Sequence, residues 1–228
     1  DPLAEISLPD QVRRKMVYTG YLEREGARSA PNAEHAIPFD RPYLLVTPGG
    51  GGDGEAMVDW VLRAYESDAS PPYPALLVYG PFMRQEKQLE FARRGAKLKN
   101  VEAITFEANI EPLIQGASGI VAMGGYNTFC EILTFDKPAL IIPRTVPRME
   151  QFIRADRAQE LGLVRMLEDD SIRNARDMAT ALRHLPQQNR PSDIVVPGLL
   201  DGLPNVNRLA RRLTGGQGRR LTAVAAPN

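Results

Sequence analysis

Two apolar runs frame a glycine turn in the middle of this chain, and their spacing restricts the fold more than any other feature. Gly119-Ile120-Val121-Ala122-Met123 leads into Gly124-Gly125-Tyr126-Asn127-Thr128-Phe129-Cys130-Glu131. A helix-like stretch continues to Phe135, and Pro138-Ala139-Leu140-Ile141-Ile142-Pro143 is again apolar. The order is strand, glycine turn, helix, strand. Strands joined through a helix run parallel, whereas an antiparallel pair needs only a hairpin. Helices then cover both faces of the sheet, which is why the strands read as continuous apolar runs.

The same alternation extends in both directions. Leu44-Leu45-Val46-Thr47 is a short strand, Gly49 to Gly54 a glycine loop, and Glu55–Glu66 a helix with Met57, Val58, Val61, Leu62 and Tyr65 on one face. A strand over Ala75–Tyr79, a helix over Gln85–Leu98, a strand over Val101–Phe106 and a short helix near Ile110–Gln115 complete the first half. After Pro143 the spacing predicts a helix over Met149–Leu161 stopped by Gly162, a strand over Val164–Leu167 and a helix over Ile172–His184. A Pro/Asn/Gln-rich loop from Pro186 to Pro204 leads to a last helix over Val206–Leu213. The fold class is α/β: a Rossmann-like three-layer α/β/α domain with a mainly parallel sheet. Residues 1–40 read as a linker with one strand, Met16-Val17-Tyr18, that leads into the domain of residues 41–214. Residues 215–228, rich in Gly, Arg and Ala without periodicity, read as a flexible tail.

Charge narrows the partners. With 28 basic and 28 acidic side chains and no basic block, nothing electrostatic argues for nucleic acid or an anionic membrane. The single cysteine, Cys130, excludes an intrachain disulfide and permits a cytosolic setting. No apolar run approaches the ~20 residues that span a bilayer, and no signal peptide is visible. A chain that opens on Asp1-Pro2 reads as a piece of a longer protein or as one lacking its first residues.

The central turn carries the strongest chemical signal. Gly124, Gly125, Tyr126 and Asn127 would present backbone N–H groups at a helix N-terminus, where a pyrophosphate binds well. Thr128 adds a hydroxyl. Glu131, further into the helix, is a carboxylate of the kind that accepts hydrogen bonds from a ribose diol. The alternative is a tight turn that needs small residues, with Asn127 or Thr128 as an ordinary cap. Glu131 has its own alternative as a solvated surface group. Helix orientation decides between them: with Phe129 and Ile132 against the sheet, Glu131 can point along the carboxyl edge of the strands, where ligands of open α/β sheets bind.

The first glycine loop formally matches G-x-G-x-x-G through Gly49, Gly51 and Gly54. The next strand ends Val78-Tyr79-Gly80-Pro81 without the acid that a nicotinamide cofactor's ribose requires, and no Lys follows the glycines as in a P-loop. Gly49, Gly50 and Gly51 therefore stand as candidates for close approach to a phosphate or an acceptor group, or as a merely flexible turn. Arg144, Glu150 and Gln151 follow the strand ending at Pro143; an Arg there can hold a phosphate oxygen and Gln151 a sugar hydroxyl. Taken singly, Arg144 and Arg148 read as a solvated loop. Phe106 ends a strand on the ligand edge and could flank a base ring. His35 and His184 lack metal-ligand spacing, no metal cluster is convincing, and Cys130 reads as a packed side chain.

Several of these motifs in one register resemble a known family. From Val101 to Leu167 the chain is similar to the C-terminal domain of GT-B glycosyltransferases, most of all the group of the peptidoglycan lipid-intermediate N-acetylglucosaminyltransferase. Phe106, Gly124-Gly125-x-x-Thr128-x-x-Glu131, Lys137-Pro138-Ala139-Leu140-Ile141-Ile142-Pro143 and Glu150-Gln151…Ala155…Leu161-Gly162 carry the likeness, and Tyr18-Thr19-Gly20-Tyr21 resembles the linker into that domain. The resemblance implies a UDP-sugar as donor substrate, no cofactor and no metal. It gives Glu131 to the ribose, Thr128 and the backbone of Gly125–Asn127 to the diphosphate, Gln151 to the sugar and the Phe106 region to uracil. It also implies transfer to an unknown acceptor, with the acceptor site and the base in a preceding N-terminal domain that this chain lacks, and a cytoplasmic protein that works free or at a membrane surface. Arg154-Ala155 stands where the family pattern has Asn-Ala, and Arg144–Arg148 is an extra basic, Pro-rich stretch. UDP-sugar hydrolases, UDP-N-acetylglucosamine epimerases and a non-enzymatic nucleotide-sugar-binding module are the competing readings.

Overall fold

A computed structural model describes residues 7–24, 37–50, 52–169 and 172–214. Gly51, His35 and the tail of residues 215–228 lie outside the described residues. The chain forms two compact units, Arg24–Val195 with the sheet, and a smaller one of Leu8–Glu23 with Val196 onward.

The larger unit is built on six parallel strands: β1 (Leu44–Thr47), β2 (Ala75–Val78), β3 (Val101–Ile104), β4 (Gly119–Ala122), β5 (Ala139–Ile141) and β6 (Arg165–Met166). Their order in the sheet is β3-β2-β1-β4-β5-β6. The central strands are buried along their whole length, as continuous apolar runs require; β1, β2, β4 and β5 show no exposed residue. Helices α2 (Glu55–Glu66), α3 (Gln85–Gly95), α4 (Glu111–Gly116), α5 (Tyr126–Thr134) and α6 (Glu150–Glu160) make the five crossovers, and α7 (Ala175–His184) follows the last strand. On α2 the expected apolar face is buried, and Trp60 joins it with its indole N–H on the Asn174 carbonyl at 2.8 Å.

Element ends differ from the sequence reading for local reasons. Strand β3 stops at Ile104, because its neighbour turns away at Gly80, which has φ +88°; the ladder closes with Gly80 N–H on the Thr105 carbonyl at 3.0 Å. Helix α3 ends at Gly95 rather than Leu98, since its exit tightens into i→i+3 bonds such as Leu98 N–H to Gly95 O, 2.8 Å. The loop after α7 holds two 3-10 turns, Leu185–Gln187 and Pro191–Asp193.

In the smaller unit, the strand expected over Met16-Val17-Tyr18 does not form. The segment follows a short helix, α1 (Asp10–Arg13), and the Met16 N–H closes the turn after it on the Arg13 carbonyl at 3.1 Å; Val17 is left exposed. The pairing comes later, as a single antiparallel bridge between Leu22 and Asp201. Helix α8 (Gly202–Leu213) begins earlier than Val206, because Pro204 sits in its first turn, where a missing N–H is tolerated. Among the described residues no helix is long and apolar enough to cross a membrane.

Phe129 on α5 is fully buried. Phe129→Ala is expected to lower the unfolding free energy by roughly 3–5 kcal/mol, read from urea denaturation.

Candidate functional site

The strand order reverses between β1 and β4, so the loops leaving these neighbouring strands diverge and open a crevice at their carboxyl ends. Both loops are glycine loops. After β4, Gly124 has φ +79°, and a Cβ there would stand 2.8 Å from Ile141 Cγ2, so this step is built for glycine. Gly125 then serves as the N-cap of α5 with ordinary backbone angles, and no side chain caps the helix. The cap role considered for Asn127 and Thr128 is therefore not taken up. Among the described residues nothing lies within 4 Å of where a Gly125 side chain would project. The helix start faces open space, with Tyr126 and Asn127 exposed and Thr128 half-buried.

The loop after β1 lies against this turn. A Cβ on Gly49 would be 3.6 Å from Thr128 Oγ1. Gly49 N–H donates to Thr47 Oγ1 at 3.2 Å, and the Gly50 carbonyl accepts from Phe82 N–H at 3.0 Å. A side chain on Gly80 would run into the Gly49 carbonyl. The end of β2 is thus packed against the glycine loop.

The loop after β5 closes the third side. The Arg144 guanidinium pairs with Asp53 of the first glycine loop and with Glu150 at 2.9 Å, and its backbone N–H donates to Gln151 Oε1 at 3.2 Å. The two carboxylates hold Arg144 firmly cationic, Glu150 more than Asp53. On α6, Arg154 donates to the Gly124 carbonyl at 2.7 Å and lies over the Tyr126 ring, 5.8 Å from its centroid. Gln151 is buried.

Glu131 lies deeper on α5. Five consecutive residues of α5, Phe129 to Leu133, are buried, Glu131 among them. The carboxylate is only 8% exposed and pairs with Arg24 at 2.9 Å. Burial pushes its carboxyl up, Arg24 pulls it down, and the like charge of Glu111 raises it again. Phe106 is half-exposed beyond β3, three strands from β4, or about 14 Å at ordinary strand spacing. The chain returns from there through the buried Glu107, which accepts from Asn109 N–H at 2.9 Å, to α4.

Residues 45–191 match the glycosyltransferase family 28 C-terminal domain. The chain belongs to that family. A curated relative, an uncharacterized glycosyltransferase of Methanosarcina acetivorans, is 29% identical over 162 residues, which is 71% of this chain and 39% of the relative. Among solved structures, the calicheamicin glycosyltransferase CalG4 superposes with a TM-score of 0.59 at 21% identity, over 82% of this chain and 45% of that one. The UDP-GlcNAc 2-epimerase of Methanocaldococcus jannaschii gives 0.50 at 17%, over 78% and 47%. These two likenesses are of fold. The chain spans less than half the length of each.

Within this family 28 domain, the glycines at 49, 50, 124 and 125, residues Tyr126 to Thr128, and Arg144, Glu150 and Gln151 gather at the adjoining ends of β1, β4 and β5. Glu131 stands on the same helix and Phe106 across the sheet. A separate cavity of about 590 Å³, lined by Leu140, Gln159, Arg165, His184 and Gln188 among others, contains none of them. Sequence reading missed Arg24 and the pairing of Asp53, and it noted Arg154 only as a departure from the family pattern, not as a site residue. Arg154 carried a signal, since it lies three residues after Gln151 and so on the same helix face; Arg24 carried none.

The two turn glycines are expected to behave differently. Gly124→Ala should cost roughly 1–3 kcal/mol of stability through backbone strain and the clash with Ile141. Gly125→Ala should cost under about 1 kcal/mol, the difference between Gly and Ala at an N-cap. Thermal and urea unfolding of both variants checks this.

Proposed function

We propose that this family 28 domain is the donor-binding part of a glycosyltransferase that moves a sugar from a UDP-sugar to an acceptor. One observation carries the reading: an uncapped helix N-terminus, open to solvent, lies beside a second glycine loop at the point where the strand order reverses. That arrangement suits a diphosphate, whose charge the first-turn N–H groups and the helix dipole favour. Glu131 is five residues past Tyr126, about 7.5 Å along the axis, which suits the ribose of the same nucleotide. Gln151 serves the sugar and the Phe106 loop the base. Arg144, paired with Asp53 and Glu150, holds the loops together rather than gripping phosphate directly.

In the transfer, an acceptor hydroxyl attacks the anomeric carbon as the bond from that carbon to the diphosphate oxygen breaks. The hydroxyl proton goes to a base, and UDP leaves. Charge grows on the diphosphate in the transition state, so N–H groups fixed at the α5 start stabilise it more there than in the ground state. The acceptor site and the base are assigned to a domain outside this chain. The cellular setting is assigned to the cytoplasm, free or at a membrane surface.

Calorimetric titration with UDP, GDP and dTDP tests the reading. UDP should bind best, and Glu131→Gln should weaken it by about 1.5–3 kcal/mol, the value of a hydrogen bond to a charged group. Equal binding of all three, or no effect of Glu131→Gln, contradicts it. The chain alone, supplied with UDP-sugar and acceptor alcohols, should bind donor and release no UDP by transfer. Turnover would place the base within these residues.

A further inference from the structure

The carboxylate assigned to the ribose has a partner from far away in the chain. Glu131 Oε1 accepts a hydrogen bond from Arg24 Nη2 at 2.9 Å across 107 residues of sequence. The Arg24 backbone N–H donates to Thr134 Oγ1 at 3.2 Å, one turn further along α5. Arg24 is therefore fastened to this helix at two points. Among the described residues the other charge acting on Glu131 is Glu111, at the start of α4, and α5 carries no further charged side chain. A carboxylate 8% exposed thus faces one cation and one like charge. Burial works against the ionised form and Arg24 favours it, and the neutral acid is a poorer acceptor for a diol.

We propose that Arg24 is a positioning residue of the donor site: its guanidinium ties Oε1 of Glu131 and fixes the carboxylate, so that the second oxygen meets the ribose hydroxyls. The inference rests on the donor-site reading and adds to it a residue that acts through Glu131. Arg24 thereby becomes part of the site.

The direction of the pH effect follows. Ionised Glu131 is the acceptor, so nucleotide affinity falls as pH drops through its titration. Burial already raises that titration, and Arg24 opposes the rise. Without Arg24 the loss of affinity moves to higher pH.

The test uses the whole chain with Arg24→Met and Arg24→Lys, with unfolding curves to verify that both fold. Carboxyl-carbon NMR reads the Glu131 titration without ligand, and calorimetry reads UDP binding across the same pH range. Arg24→Met should move the NMR midpoint upward and weaken UDP about tenfold or more near neutral pH, while Arg24→Lys restores most of both. An unmoved midpoint overturns the proposal. So does Arg24→Met binding UDP more tightly than the parent, which would make Arg24 a plug. If the parent binds no nucleotide, the donor-site reading fails and this role falls with it, whatever the midpoint does.

Discussion

Parallel strands force their connections over the faces of the sheet, and a sheet wound in both directions from its centre must leave a gap where the winding reverses. In this chain that gap lies between β1 and β4. Neighbouring strands there send their chains to opposite sides, so two loops and two helix starts border one crevice. The glycines follow from this. Gly49, Gly80 and Gly124 all hold positive φ at strand exits, and the first two lie so close that a side chain on Gly80 would meet the Gly49 carbonyl. These glycines place no side chain of their own at the strand exits, and backbone N–H groups are what an anion needs.

Arginines hold this open edge in shape. Arg144 fastens the loop after β5 to the loop after β1 through Asp53, and Arg154 fastens α6 to the turn after β4 through the Gly124 carbonyl. Arg24 is tied to α5 through Glu131 and Thr134. Arg144 is partly exposed, so its pairs contribute little to overall stability. Their effect is to restrict loop positions, which matters where a ligand must be met by atoms already in place.

The sheet was legible because burial on both faces leaves each inner strand as an uninterrupted apolar run; Leu44-Leu45-Val46 and Gly119-Ile120-Val121-Ala122 have no other use in a chain of ordinary composition. The central turn was legible too, since two glycines between a strand and a helix are a local pattern. What escaped is non-local. Nothing around Arg24 predicts a partner 107 residues away. Arg144 looked like a solvated residue because Asp53 is brought to it only by the sheet. The strand expected at Met16-Val17-Tyr18 had the right residue types, but strand formation needs a neighbour, and the turn after α1 had already taken the Met16 N–H.

The central claim is that a nucleotide diphosphate sits at the start of α5, against the loop after β1. Amide chemical-shift mapping during a UDP titration tests it most directly. The account predicts the largest shifts at Gly124 through Thr128 and at Gly49 and Gly50, with Glu131 following. Shifts centred instead on the cavity of Gln159, His184 and Gln188, or no shifts at saturating UDP, would contradict it.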